Sequence, residues 1–253
     1  MNTIWINALL STLIVSLISF VGIFILFFKT GRLQQVLTEL ICFSIGAMLG
    51  NAFFHLIPES YFHIGSAELT SWLILVGFLV FFIVEHFLHA HHDTSNLQES
   101  PIKPFGYLSL YANSIHNLTD GILIGAAWMF NNDVGLATTF AVIFHEIPHE
   151  IGDFGILIRA GFTNKKAIWL NFLVACTAIV GTLITLWIGK SVEHLSTYIL
   201  PIAAGGFIYL AAANLLPEVL KESTKKNLWI HLLFILLGLF LMYFFSVHGG
   251  HQH

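Results

Sequence analysis

His145-Glu146-Ile147-Pro148-His149-Glu150-Ile151-Gly152-Asp153 lies within an apolar stretch, with residues 134–144 before it and 154–158 after it. Two imidazoles and three carboxylates therefore share a segment otherwise suited to lipid. At about 100° per residue, these five side chains fall within an arc of roughly 140° on one helix face. A carboxylate at the bilayer centre costs on the order of 3 kcal/mol. With Asp120 counted, four such groups cost about 12 kcal/mol, comparable to the stability of a whole domain. No Lys or Arg lies inside any apolar span, so the neutralising charge must be protons or a bound cation.

Composition places the chain in a class. Of 253 residues, 57% are hydrophobic and only 9% charged, far too apolar for a soluble domain of this length. The reading is an all-α, polytopic membrane protein. Its formal net charge of −4 says little, because the distribution of charge matters more than the sum. Nothing in that distribution points to nucleic acid. Cys42 and Cys176 both fall in apolar runs, so no disulfide framework is implied and both are read as small buried hydrophobes. No basic segment precedes Ile4, so the first span does not resemble a cleaved signal peptide.

Eight stretches are long enough to cross a bilayer: about 4–28, 33–57, 69–88, 106–130, 134–158, 167–189, 195–220 and 228–247. The whole chain, 1–253, reads as one transmembrane domain, with a histidine-containing loop at 89–105. Lys29, Arg32, Lys103, Arg159, Lys165, Lys166, Lys221, Lys225 and Lys226 fall on one side of this arrangement, and only Lys190 on the other. The positive-inside rule makes the first side cytoplasmic and puts both termini outside. A repeat is also legible: Gly46–Glu59 reads GAMLGNAFFHLIPE and Gly205–Glu218 reads GGFIYLAAANLLPE. Span 2 runs outward and span 7 inward, so an inverted repeat is expected, with spans 1–3 mirroring 6–8 around a central pair. That 3+2+3 architecture belongs to transporters.

Span 4 supplies further polar groups: Asn113, His116, Asn117 and Asp120 lie within an arc of roughly 100°. The short turn 131–133 makes spans 4 and 5 antiparallel neighbours, bringing both sets to one depth. Imidazole and carboxylate at i, i+4 suit a borderline divalent ion such as Zn²⁺. His116, Asp120, His145 and His149 form the minimal tetrahedral set. Asn117, Glu146, Glu150 and Asp153 are then additional ligands, a second site, or proton acceptors. Pro148 cannot donate to the Phe144 carbonyl, so a kink and a freed acceptor are expected beside the ligands. His55, Glu59 and His63 share a face of span 2, as a collecting ladder for metal or as a solvated helix end.

His116-Asn117-Leu118-Thr119-Asp120-Gly121, together with the span 5 motif, resembles the ZIP family of divalent-metal transporters. The resemblance is greatest to the branch whose fifth span reads His-Glu-x-Pro-His-Glu-x-Gly-Asp. It implies uptake of Zn²⁺ toward the cytosol across a cell membrane, with Fe²⁺, Mn²⁺ or Cd²⁺ as further cargo. It also implies two adjacent metals, one held by His116, Asp120, His145 and His149 and the other by Asn117, Asp120, Glu146 and His149. Some members add a span 6 carboxylate; here Asn171 is the only polar candidate there. One block moving against another within a homodimer is a further implication. The rival reading is an intramembrane zinc protease, since His145-Glu146-x-x-His149 matches the HExxH pattern in which Glu activates water. Pro148 inside the motif, the repeat and the surplus carboxylates weigh against it.

Overall fold

The computed structural model describes residues 2–26, 30–90, 104–189, 195–222 and 227–248. The described residues are helical with no strand among them, and they form eight rods. The first is α1 (Asn2–Ile18), tightening into a 3₁₀ segment, Ser19–Leu26. The second is α2 (Thr30–Asn51), a π-helical turn (Ala52–Leu56) and α3 (Ile57–Ile64). Then come α4 (Ala67–Ala90), α5 (Pro104–Phe130) and α6 (Asn132–Arg159). The sixth rod is α7 (Asn164–Ala175) followed by α8 (Thr177–Ile188). The seventh is α9 (Leu195–Tyr209), a second π-helical turn (Leu210–Leu215) and α10 (Leu216–Glu222). The last is α11 (Leu228–His248). The loop expected at 89–105 falls largely outside the described residues, as do His251 and His253.

Six rods are long and apolar enough to cross a membrane. The other two are α5 and α6, which carry the polar residues singled out above. Hydropathy alone cannot mark them, because the site lowers it. Around them the exposed side chains are those lipid accepts: Trp72, Leu75 and Leu79 on α4, and Leu233, Leu236 and Phe240 on α11. The buried core lies inward, with Cys42, Met48, Ile124, Ala204 and Phe207 in one cluster.

The repeat seen in the sequence recurs in the packing. α2 packs against α11, and α9 against α4; α5 packs against α8, and α6 against α1 and its 3₁₀ extension. Exchanging the first three rods with the last three, and α5 with α6, maps each pairing onto its counterpart. The contacts correspond residue by residue. A Cβ on Gly46 would strike the Ile235 carbonyl, and one on Gly205 would strike that of Ile74. Their partners repeat the pattern, with Gly238 against the Phe43 carbonyl and Gly77 against that of Ile202. Small residues let these backbones touch, which is how helices associate where lipid removes the hydrophobic drive.

Both π-helical turns obey the same register. Ile57 N–H donates to Ala52 O, and Leu216 N–H donates to Ala211 O, positions that the repeat superimposes. A proline follows each, Pro58 and Pro217, and each lacks the N–H that an α-helix would direct four residues back. The slack is taken up by a wider turn. At the first, the freed Phe54 carbonyl accepts from Ser246 Oγ at 3.2 Å.

The α5–α6 joint fixes the site. Only Asn131 separates the helices, and its side-chain oxygen accepts from Val134 N–H at 2.8 Å, capping α6. At the other end Gly161, with φ 99°, terminates α6, and Phe162 N–H bonds Leu157 O at 3.1 Å.

Gly46→Leu drives a side chain into the α11 backbone and is expected to cost about 1–3 kcal/mol or more by overpacking. Gly155→Ala, whose Cβ meets nothing within 4 Å, should change little. Thermal unfolding of the two variants in detergent checks the contrast.

Candidate metal centre

With α5 and α6 antiparallel, i, i+4 residues of one helix face i, i+1 residues of the other. His116 Nε2 stands 3.1 Å from Glu146 Oε1, 3.3 Å from His145 Nε2 and 3.6 Å from Asp120 Oδ2. His145 Nε2 stands 3.2 Å from Asp120 Oδ2 and 3.4 Å from Glu146 Oε1. One ligand atom from each of these four residues lies within 4.8 Å of all the others. Asp120 and Glu146 are fully buried, and His145 nearly so.

Local bonds aim these groups. His145 Nδ1 lies 3.2 Å from the Ala141 carbonyl, which can only accept, so in the neutral ring Nδ1 carries the proton and Nε2 offers its lone pair to the cluster. Among the described residues, Asp120 Oδ1 and Glu146 Oε2 have no hydrogen-bond partner, and Asp120 Oδ2 meets only histidine nitrogens. Every ion-pair contact to these two carboxylates, among the described residues, comes from a histidine. Two neutral imidazoles and two carboxylates carry a charge of −2, the complement of a dication. Burial without donors is costly unless a cation takes those lone pairs.

The other expected residues surround this group. Asn117 is buried, and its amide donates to Asn113 Oδ1 at 2.7 Å. His149 stacks on His116 with ring centroids 4.6 Å apart, while its Nδ1 points to Asp153 Oδ2 at 3.2 Å. Glu150 accepts from the Asn171 amide on α7. Asp153 also meets Ser109 Oγ at 3.5 Å. Glu146 therefore stands where the minimal set placed His149, and His149 is the neighbour. Helical spacing fixes which face a residue occupies, but the χ angles decide which atoms meet.

Pro148 lies inside α6, which continues through it. The Phe144 carbonyl that it frees accepts from Ser44 Oγ on α2 at 2.6 Å. A lone serine in an apolar helix carries no sequence signal for this role. Toward the Asn131 joint, the face of α6 bearing His145 is sealed, with Ala141 and Thr138 fully buried. Toward Arg159 it opens: the His149 side chain is 35% exposed and Gly152 is exposed. Of the span 2 ladder, Glu59 Oε2 lies 3.4 Å from His63 Nε2, and Asn131 Nδ2 donates to Glu59 Oε1 at 3.4 Å. His55 is buried and His63 exposed.

Fold and site together define an all-helical membrane protein with a buried histidine–carboxylate cluster of cation-chelating geometry. The chain matches the family described as ZIP Zinc transporter over residues 2–104 and 89–246, and it belongs to that family. It is similar to Zinc transporter ZIP13 of Pongo abelii, 33% identical over 264 residues that cover 96% of this chain and 79% of that protein. It is also similar to Zinc transporter YKE4 of Saccharomyces cerevisiae, 32% identical over 281 residues covering 96% and 81% of the two chains. A third relative, Zinc transporter zipt-7.2 of Caenorhabditis elegans, is 31% identical over 311 residues covering 97% and 66%. The chain is thus one of a family of metal transporters and not an enzyme.

Ser44→Ala leaves the Phe144 carbonyl without its donor. The expected loss is about 1–2 kcal/mol, seen as a lower unfolding temperature with zinc binding retained.

Proposed function

We propose that the protein imports divalent metal, zinc foremost, into the cytosol through the cluster of His116, Asp120, His145 and Glu146. The carrying observation is the pair of buried carboxylates, Asp120 and Glu146, paired among the described residues only with histidines. Two imidazole nitrogens and two carboxylate oxygens match the four-coordinate preference of Zn²⁺ and admit Fe²⁺, Mn²⁺ or Cd²⁺ by small changes of geometry. The names of the relatives support zinc as cargo. His149, Asn117, Glu150 and Asp153 are the further metal-contacting residues of this reading.

In this reading α5 and α6 cross the bilayer with the six apolar rods, making eight spans with both termini outside and the basic loops in the cytosol of a cell membrane. Polar residues are tolerated in those two helices because the repeated triplets surround them. The two triplets form an inverted repeat, and the metal sits at their shared midplane. The opening beside His149 and Gly152 then faces the cytosol, so the structure is the inward-facing state.

The protease alternative requires His145 and His149 to share one zinc while Glu146 holds water away from the ligand set. Here Glu146 Oε1 sits among the ligand atoms, and His149 Nδ1 is turned to Asp153. Transport is favoured on both counts.

His145→Ala removes a ligand and is expected to cut zinc uptake into proteoliposomes by about tenfold or more. Uptake by the unsubstituted protein should fall as the pH is lowered, because protons compete with metal for imidazole and carboxylate. A dye-loaded vesicle assay reads both. Undiminished flux in the variant, or peptide cleavage that depends on Glu146, would refute the proposal.

A further inference from the structure

We propose that Glu59, held between the Asn131 amide and the His63 ring, is the latch that keeps the sealed half of the protein shut. It is the outermost of a row of polar cross-links between the second rod and α6, and these must part for an ion to enter on that side. That the latch admits cargo rests on the transport reading above; that it holds the two elements together rests on geometry alone.

Three polar cross-links, among the described residues, join the second rod to α6 and its cap. Ser44 Oγ donates to the Phe144 carbonyl at 2.6 Å, Asn51 Nδ2 to Thr138 Oγ1 at 3.3 Å, and Asn131 Nδ2 to Glu59 Oε1 at 3.4 Å. Asn131, Thr138 and the ligand His145 follow one another at seven-residue intervals, two helical turns less about 20°. They form one stripe leading from the joint to the metal cluster. On the second rod Ser44 and Asn51 are also seven residues apart, but Glu59 lies eight beyond Asn51. Eight α-helical residues would turn it about 80° out of line. The π-helical turn Ala52–Leu56 falls between the two and takes up the extra residue, which returns Glu59 to the stripe. The wide turn thus aims the outermost cross-link.

Asn131 shows why this cross-link matters. Its N–H donates to the Ala127 carbonyl at 3.2 Å, its own carbonyl accepts from Gly135 N–H at 3.0 Å, and its Oδ1 accepts from Val134 N–H. Those bonds all serve to turn α5 into α6. The side-chain amide is left over, and it reaches out to Glu59. Glu59 Oε2 stands 3.4 Å from His63 Nε2, and the His63 ring meets Phe130, the last residue of α5, edge to face at 4.7 Å. The pair therefore grips both sides of the joint, and Glu59 acts through Asn131 as a positioning residue. Both Glu59 oxygens have partners, and its side chain is only 20% exposed. That favours a latch over a collecting site for metal, which would present free oxygen to solvent.

The test uses the full-length protein in detergent, with Cys42→Ala and Cys176→Ala removing the native thiols and Ala141→Cys as the reporter. Ala141 is fully buried on the sealed face of α6, so a water-soluble maleimide reaches a thiol there only when that half opens. Glu59→Ala should raise the labelling rate by about three- to tenfold, the shift expected from losing one hydrogen bond. Glu59→Gln keeps an oxygen for the Asn131 amide and should label at the rate of the unsubstituted latch. In proteoliposomes, Glu59→Cys with Asn131→Cys, bridged by a short reducible bis-thiol reagent, should stop zinc uptake until the bridge is reduced. An unchanged labelling rate in Glu59→Ala, or uptake that continues through the bridged pair, overturns the latch. Loss of uptake at low zinc in Glu59→Gln, with labelling unchanged in both variants, also overturns it and marks a collecting site instead. A protein that moves no zinc, yet labels faster in Glu59→Ala, would sink the transport reading and leave the latch standing.

Discussion

Asp120 and Glu146 are carboxylates with no solvent exposure and, among the described residues, no lysine or arginine paired with them. Much of the rest of the structure follows from accommodating them. A lone carboxylate in hydrocarbon costs on the order of 3 kcal/mol, and the cost falls only when the group faces protein or a cation. The two helices that carry them therefore sit within the bundle, each packed against rods from the repeated triplets. The same demand explains the histidines, which can lend a lone pair to a metal. A lysine in their place would neutralise the carboxylates permanently and leave nothing for a dication to do.

Around that charge the backbone itself is adapted. Three prolines, Pro58, Pro148 and Pro217, each leave a carbonyl without its usual donor. Two of these carbonyls are met by serines from neighbouring helices, Ser246 at Phe54 and Ser44 at Phe144. In a membrane such groups must be satisfied inside the protein. Ser44 also ties α2 to the turn of α6 immediately before His145, so α2 and the helix bearing His145 are coupled by one hydrogen bond. The paired π-helical turns place equivalent irregularities in both triplets.

Much of this was legible in the sequence. The i, i+4 spacing of His116 with Asp120 and of His145 with His149 placed the polar residues on facing stripes. The match of 46–59 with 205–218 anticipated the exchange seen in the packing. Other features left no trace. The arc on α6 held His145, Glu146 and His149 alike, and only side-chain torsions put Glu146 among the ligand atoms and turned His149 toward Asp153. Ser44 is one serine in an apolar helix, and its partner lies 100 residues away. The π-helical turns arise from a proline's missing donor, but a proline alone does not say whether a helix will widen, kink or break. Asn171 stood out as a lone amide in span 6, yet its bond to Glu150 needed the tertiary structure.

X-ray absorption at the zinc edge of the metal-loaded protein tests the central claim most directly. Nitrogen and oxygen scatterers at about 2.0–2.1 Å, with the outer-shell signature of imidazole, are the result expected of the His116, Asp120, His145 and Glu146 cluster. Sulfur at about 2.3 Å, or a first shell without imidazole, would place the metal elsewhere and contradict the account.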